Sequence, residues 1–212
     1  MPSRNIAVLG AGNVGAALAR IWSKAGHSVS IGVPDPNSAS AQKAKNSIAG
    51  VRVTTNREAV EGASVVALCV PWEASEQAIR ESGDLKDKIL LDCVNPLKPD
   101  LSGLAIGTDV SAAEQTAQLA VGAKVVKAFN TIGAPCYGNA QFGSERASGF
   151  YCGDDAEAKA AVRELIADAA LDPVDVGPLR NARWLEAMAM LWIDLAINQK
   201  QGVNHAFKLL RR

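Results

Sequence analysis

Histidine and cysteine are scarce in this chain of 212 residues. It holds two histidines, His27 and His205, and four cysteines, Cys69, Cys93, Cys136 and Cys152. No two cysteines stand at Cys-x-x-Cys spacing, so neither a disulfide framework nor a zinc site is written here, and no bound metal is expected. A His–acid dyad and a nucleophile elbow are missing too. Charge of one sign is also lacking, because Lys plus Arg equals Asp plus Glu at 22 each. That balance argues against a nucleic-acid partner, and the closing "KLLRR" is too short to change it. Long apolar runs are absent as well. "WLEAMAMLWIDLAI" is broken by Glu186 and Asp194, so no membrane span is expected. The opening "MPSRNIAVLG" runs straight into a strand pattern without a secretory apolar region. A cytoplasmic protein is the expectation.

What the chain does have is a rhythm. Short β-branched runs alternate with helical stretches: Asn5–Gly10, then a helix over Val14–Gly26, Ser28–Gly32, a helix through "ASAQKAKNSIA", and Val51–Thr54. Ser64–Val70, Ile89–Val94 and Ala123–Asn130 follow, continuously apolar as strands buried on both faces are. "ASGFYCG" and "DPVDVG" read as later strands, with a charged amphipathic helix over Asp154–Ala170 between them. From Asn181 onward the chain reads as wholly helical. The expected fold is α/β, a doubly wound parallel sheet (Rossmann fold) with a small C-terminal helical extension. The division expected is 1–178 for the NAD(P)-binding domain and 179–212 for the extension.

The first strand runs into "VLGAGNVGAALARIWSKAG", which sets Gly10, Gly12 and Gly15 at G-x-G-x-x-G spacing at the opening of a helix. That context makes the motif informative. Gly10 allows the tight turn, Gly12 lets the backbone approach a pyrophosphate, and Gly15 permits close helix–sheet packing. Phosphates would rest on N–H groups at the helix start, around Asn13 and Val14. In an open parallel sheet, ligands bind beyond the carboxyl ends of the strands. Those ends read "CVPWEAS", "DCVNPL" and "KAFNTIGA". Val70, Pro71 and Trp72 would wall the nicotinamide ribose; Asn95, Asn130 and Thr131 would offer hydrogen bonds. Turn chemistry alone is the competing account, since Asn and Pro favour strand exits.

His27 reads as structural in a helix-to-strand turn, His205 as a surface or interface residue, and Cys69 and Cys93 as packing. With no His–acid dyad, nucleophile elbow or metal cluster in the sequence, the chemistry that fits is hydride transfer between two stacked cofactors, which the protein mainly aligns. On the last helix, Met188, Leu191, Trp192 and Leu195 fall close to one face. That stripe suits core packing or a homodimer contact through the C-terminal helices, or a roof over the acceptor pocket.

With "IAVLGAGNVGAALARIWSKAGH", "VVKAFNTIGA", "CGDDAEAKAAVRELIADAALDPVDVGPLRNARWLEAMAMLWIDLA" and "AFKLLRR" in view, the chain resembles the NADP oxidoreductases dependent on the deazaflavin coenzyme F420, over nearly its full length. The reductase domain of membrane metalloreductases is similar too. The resemblance implies a Rossmann domain with a small helical C-terminal part, often dimeric, that moves a hydride between NADPH and the deazaflavin. It places the pyrophosphate at Gly10–Gly15 and the nicotinamide half beside Pro71, Trp72 and Asn95. Asn130, Thr131 and Ile132 would then lie at the hydride-transfer position, with Asn130 and Thr131 as the catalytic candidates.

Two departures stand out. Members of the family often carry a His where Asn130 stands, and Asn cannot titrate. The second strand commonly ends in Gly-Ser-Arg or Gly-Val-Arg-Asp-Pro, with the arginine set against the 2′-phosphate of NADP. Here "SIGVPDP" puts Pro34 at that place, which has neither charge nor N–H donor. Asp35 could accept from a ribose 2′-OH, as NAD would require. Ser38, Asn37 and Ser40 offer donors at a helix start, with Lys43 nearby. NADP is the expected cofactor, NAD the alternative. Three activities follow: hydride transfer between NADPH and coenzyme F420 or a related flavin-like acceptor, NAD(P)H-dependent reduction of flavin or ferric chelates, and dinucleotide binding by a regulatory protein without chemistry.

Overall fold

The structure is a computed structural model that describes residues 2–107 and 109–212. In chain order it comprises β1 (Asn5–Leu9), α1 (Asn13–Lys24), β2 (Ser28–Val33), α2 (Ala39–Ser47), β3 (Arg52–Thr55), α3 (Asn56–Val60), β4 (Val65–Leu68) and α4 (Ser75–Glu81). Then follow β5 (Ile89–Asp92), α5 (Ala112–Leu119), β6 (Lys124–Ala128), a small hairpin of β7 (Gln141–Phe142) and β8 (Glu145–Arg146), β9 (Ser148–Gly153), α6 (Ala156–Asp168), β10 (Asp172–Asp175) and α7 (Ala182–Ile193).

The main sheet runs β3-β2-β1-β4-β5-β6-β9-β10. The first six strands are mutually parallel, in the order of dinucleotide-binding sheets, and strand order reverses between β1 and β4. After β6 the chain makes no helical return across the sheet. β9 therefore starts at the carboxyl edge and runs antiparallel to β6, and β10 lies parallel to β9. Hydrophobic runs predict strands but carry no sign of their direction, so this reversal is a finding of the structure.

Side chains alternate between the two faces as strand geometry demands. Ile6 and Val8 of β1 face one layer, where they meet Leu18, Ala19 and Trp22 of α1, Ala41 and Ala44 of α2, and Val162 and Leu165 of α6. Ala7 and Leu9 face the other layer, with Ala59 of α3, Ala78 and Ile79 of α4, Ala113 of α5 and Leu185 of α7. Trp22 is fully buried, and its indole N–H donates to the Leu165 carbonyl at 3.1 Å, tying α1 to α6. His27 is structural as expected: Nδ1 accepts from Arg4 N–H, and Nε2 lies 3.0 Å from Asp168.

The C-terminal stretch departs from expectation. α7 loosens into a π-helical turn over Asp194–Asn198, and no helix follows it. Instead the tail returns to the carboxyl edge. Ser148 N–H donates to the Phe207 carbonyl, and Leu209 N–H donates to Ser148 Oγ. Its apolar residues made the segment read as helix, whereas these hydrogen bonds to the start of β9 hold it extended.

Candidate functional site

The glycine loop divides into residues the fold needs and one it does not. Gly10 has φ of +106°, and a Cβ there would stand 2.6 Å from the Cys69 carbonyl oxygen. A Cβ on Gly15 would overlap the Gly10 carbonyl. Gly12 is different. Its φ is an ordinary −73°, and a Cβ would meet nothing within 4 Å. It is also the N-cap of α1, with no side chain capping the helix and no acid in the first turn. The first N–H groups of α1 thus open onto a hollow, the arrangement that receives phosphate.

That hollow is a cavity of about 840 Å³ along the carboxyl edge. Its lining begins at Ala11, Gly12, Asn13 and Val14, and passes Cys93, Asn95, Phe129, Asn130 and Ile132. It ends against Gly133, Trp192 and Val203. Among the described residues no Asp, Glu or His lines it. A second hollow, of about 440 Å³ beside Gly83, Leu85 and Ala120, lies at the amino ends of β5 and β6, away from the edge where such sheets bind ligands.

β6 ends in a conformation that shapes the cavity. Phe129 adopts φ of +62°, uncommon for a residue with a bulky side chain. Tyr137 Oη donates to its carbonyl at 2.6 Å, and its ring packs edge-on against both Trp22 and Tyr137. The twist leads into Asn130. Asn130 Nδ2 donates to Asn95 Oδ1 at 3.0 Å and to the Leu185 carbonyl at 3.1 Å, while Asn95 Nδ2 donates to the Asn130 carbonyl at 3.0 Å. Asn130 is 6% exposed, and its Oδ1 is buried without a partner. It is an acceptor left spare beside the cavity.

Beneath this pair lies a buried charge cluster that local sequence pattern does not announce. Lys127 Nζ donates to Asp92 Oδ1 at 3.1 Å, to Glu186 Oε1 at 2.8 Å and to the Val94 carbonyl. Burial pulls the Lys127 ammonium down, but the two carboxylates outweigh it and hold its pKa above the usual value. Burial pushes Glu186 up, against the pull of Lys127. Glu186 also accepts from Ala112 and Ala113 N–H, so one carboxylate meets both the ammonium and the positive end of α5. The cluster pins Val94 and Glu186, the neighbours of Asn95 and Leu185, and so fixes the frame around Asn130. The signal that could have found it is a lysine inside the apolar strand "KVVKAF".

The cavity brings together Gly12, Asn13, Val14, Asn95, Asn130 and Ile132. Gly10 and Gly15 are not among the lining residues. Thr131 is buried and is not among the lining residues. Val70 and Trp72 pack toward the α3–α4 layer, and Pro71 is exposed at the end of β4. Pro34 and Asp35 are exposed beyond β2, where Asp35 Oδ1 accepts from Asn37 N–H, and Ser38 caps α2 by accepting from Ala41 N–H. None of these lines the cavity. Lining residues not singled out from sequence include Arg20, Ser47, Phe129 and Gly133. A Cβ on Gly133 would press to 2.8 Å from the Trp192 ring, so the glycine lets that indole close the wall.

Comparison with known proteins bears on the same edge. The profile of the family described as NADP oxidoreductase, coenzyme F420-dependent, matches residues 5–96. A crystal structure from Arthrobacter sp. FB24, named as a candidate F420-dependent NADP-reductase, is 30% identical. It covers 99% of this chain and 100% of its own, with a TM-score of 0.90. The chain belongs to the F420-dependent NADP oxidoreductase family. A hypothetical protein of Sinorhizobium meliloti is also similar, 27% identical over the whole chain with a TM-score of 0.75. The rat metalloreductase STEAP3 is 31% identical over 191 residues, but the chain spans only 36% of its length. A reductive aminase of Aspergillus terreus solved with NADPH shares the fold at 20% identity, with a TM-score of 0.70 over 94% of this chain and 64% of its own.

Proposed function

We propose that this oxidoreductase holds NADP(H) across the glycine loop and passes a hydride between it and coenzyme F420 or a related flavin-like acceptor. The observation that carries this reading is the single cavity joining the open N-terminus of α1 to Asn130 and Trp192, without any Asp, Glu or His among the described residues that line it. Hydride transfer between two ring systems needs alignment and exclusion of water more than proton donors.

The residues present fit the dinucleotide. Gly12 leaves room where a side chain would stand, and the free N–H groups of Asn13 and Val14 suit a pyrophosphate. The spare Asn130 Oδ1 suits the donor of a carboxamide. When bound, reduced nicotinamide supplies the hydride. Asn130, steadied by Asn95 and Leu185, would orient that ring. Ile132, Phe129 and Trp192 would exclude water and stack the acceptor, and Thr131 would stiffen the turn beside them. Val70, Pro71 and Trp72 would flank the ribose from the other layer, while Pro34, Asp35 and Ser38 would face the adenosine ribose. NADP is the proposed cofactor by family, with NAD the alternative left open by Pro34.

In this reading residues 1–178 bind the dinucleotide, and residues 179–212 roof the acceptor lobe and meet a second copy of the chain. Mixing the protein with NADPH and the deazaflavin, and following the absorbance of both, tests the activity. Turnover in neither direction with NADPH binding intact would sink it. The likeness to a metalloreductase favours one second reading, reduction of free flavin or ferric chelates, which the same assay with those acceptors separates.

A further inference from the structure

Beyond the inner lobe at Asn130, the cavity runs outward between α1 and α2. Asn13, Ala16, Ala17 and Arg20 of α1 face it, and Ser40, Lys43, Ala44 and Ser47 of α2 face it from the other side. Both sets follow the i, i+3, i+4, i+7 spacing of one helical face. Apart from the two cations, these side chains are short, so the groove between the helices stays open. Among the described residues neither Arg20 nor Lys43 has a carboxylate within 4 Å, so both exposed cations are free to meet an anion in the groove they line. Both side chains line the same hollow that begins at the glycine loop. Two like charges facing one hollow without a counter-ion repel each other, and an anion between them removes that cost.

We infer that Arg20 and Lys43 form an anion subsite in this outer lobe, taking a phosphate or carboxylate at the far end of the acceptor whose ring lies against Asn130 and Trp192. The assignment to the acceptor rests on the proposed reading of the inner lobe; the anion subsite itself does not. The same chemistry could be met by the 2′-phosphate of NADP. The acceptor is favoured because the end of β2, where an adenosine ribose is expected, contributes neither Pro34, Asp35 nor Ser38 to the cavity.

Inorganic phosphate is the probe, titrated calorimetrically at low salt into the protein saturated with NAD⁺ and, separately, with NADP⁺. The dinucleotide keeps the α1 N-terminus filled in both arms. Equal binding in the two complexes, weakened at least tenfold in R20Q/K43Q, is the expected result. Binding to the NAD⁺ complex alone would hand the site to the 2′-phosphate and overturn the acceptor assignment. No binding, or binding indifferent to the double substitution, would overturn the subsite. Turnover with the deazaflavin is measured apart from this titration, so a wrong acceptor leaves the phosphate result readable.

Discussion

At the scale of single residues, the three loop glycines make separable predictions. Gly12→Ala puts a methyl group into open space at an ordinary φ, so the fold should tolerate it within about 1 kcal/mol. The methyl would stand where the pyrophosphate is proposed, and NADPH affinity should fall by about tenfold or more, worth roughly 1.4 kcal/mol. Gly10→Ala should instead damage the fold, because its left-handed backbone and the Cys69 carbonyl leave no room. Thermal melting beside an NADPH titration of both variants distinguishes a ligand-facing glycine from a structural one. Pro34 carries the second residue-scale prediction. Restoring the family's arginine there, Pro34→Arg, should tighten NADPH over NADH by roughly ten- to a hundredfold, the worth of a charge-assisted hydrogen bond. Equal gains for both dinucleotides would show that the 2′-phosphate lies elsewhere.

Among the elements, α7 depends on two attachments of opposite kind. One is buried, through Glu186 and Lys127. The other is half-exposed, where Arg183 donates to both oxygens of Glu114 at the start of α5. Glu114 also completes a capping box with Ser111. The Arg183 hydrogen bonds, reinforced by those of Ser111, hold the Glu114 carboxyl down at about 2, against a usual value of 4.5. A carboxylate depressed by folding contributes its full stability above pH 4.5, and loses it as pH falls toward 2. The gap amounts to about 3 kcal/mol at most, lessened by solvent around the pair. Glu114→Gln should therefore destabilise the protein near neutrality, and the difference from wild type should shrink as pH drops from 4.5 to 2. Denaturant melts across that range check it; a constant difference would mean the ion pair contributes nothing.

Element by element, legibility tracked locality. The strands and the glycine loop were readable because neighbouring residues encode them. Asp92 and Lys127 are 35 residues apart, and Glu186 lies 59 beyond Lys127, so no window of sequence joins them. Arg20 sits in a helix whose stripe has meaning only once α2 is laid beside it. Of the residues proposed from strand ends, Asn95 and Asn130 meet in one hydrogen-bonded pair, while Trp72 turns toward the opposite layer. A turn signal fixes where a strand stops, not which way its next side chain points.

At the scale of the whole molecule, α7 presents apolar side chains to the outside. Trp184 is 62% exposed and Leu191 52% exposed, apolar groups of a size a monomer seldom leaves in water together. A homodimer through this helix is the proposed partner, and Leu191→Asp should shift the protein from dimer to monomer in sedimentation analysis. A wild-type chain that sediments as a monomer at micromolar concentration would refute it.

Trp192 adds a practical consequence. Its indole is fixed by a hydrogen bond to the His205 carbonyl, stacked on the His205 ring at 4.8 Å, and seated in the cavity wall. An aromatic held by these contacts is placed to meet an arriving ligand ring. The protein thus carries a built-in optical gauge: its ultraviolet emission should dim as the inner lobe fills, in proportion to occupancy and without any label. A Trp192→Phe variant supplies the blank that separates this signal from that of Trp22, Trp72 and Trp184.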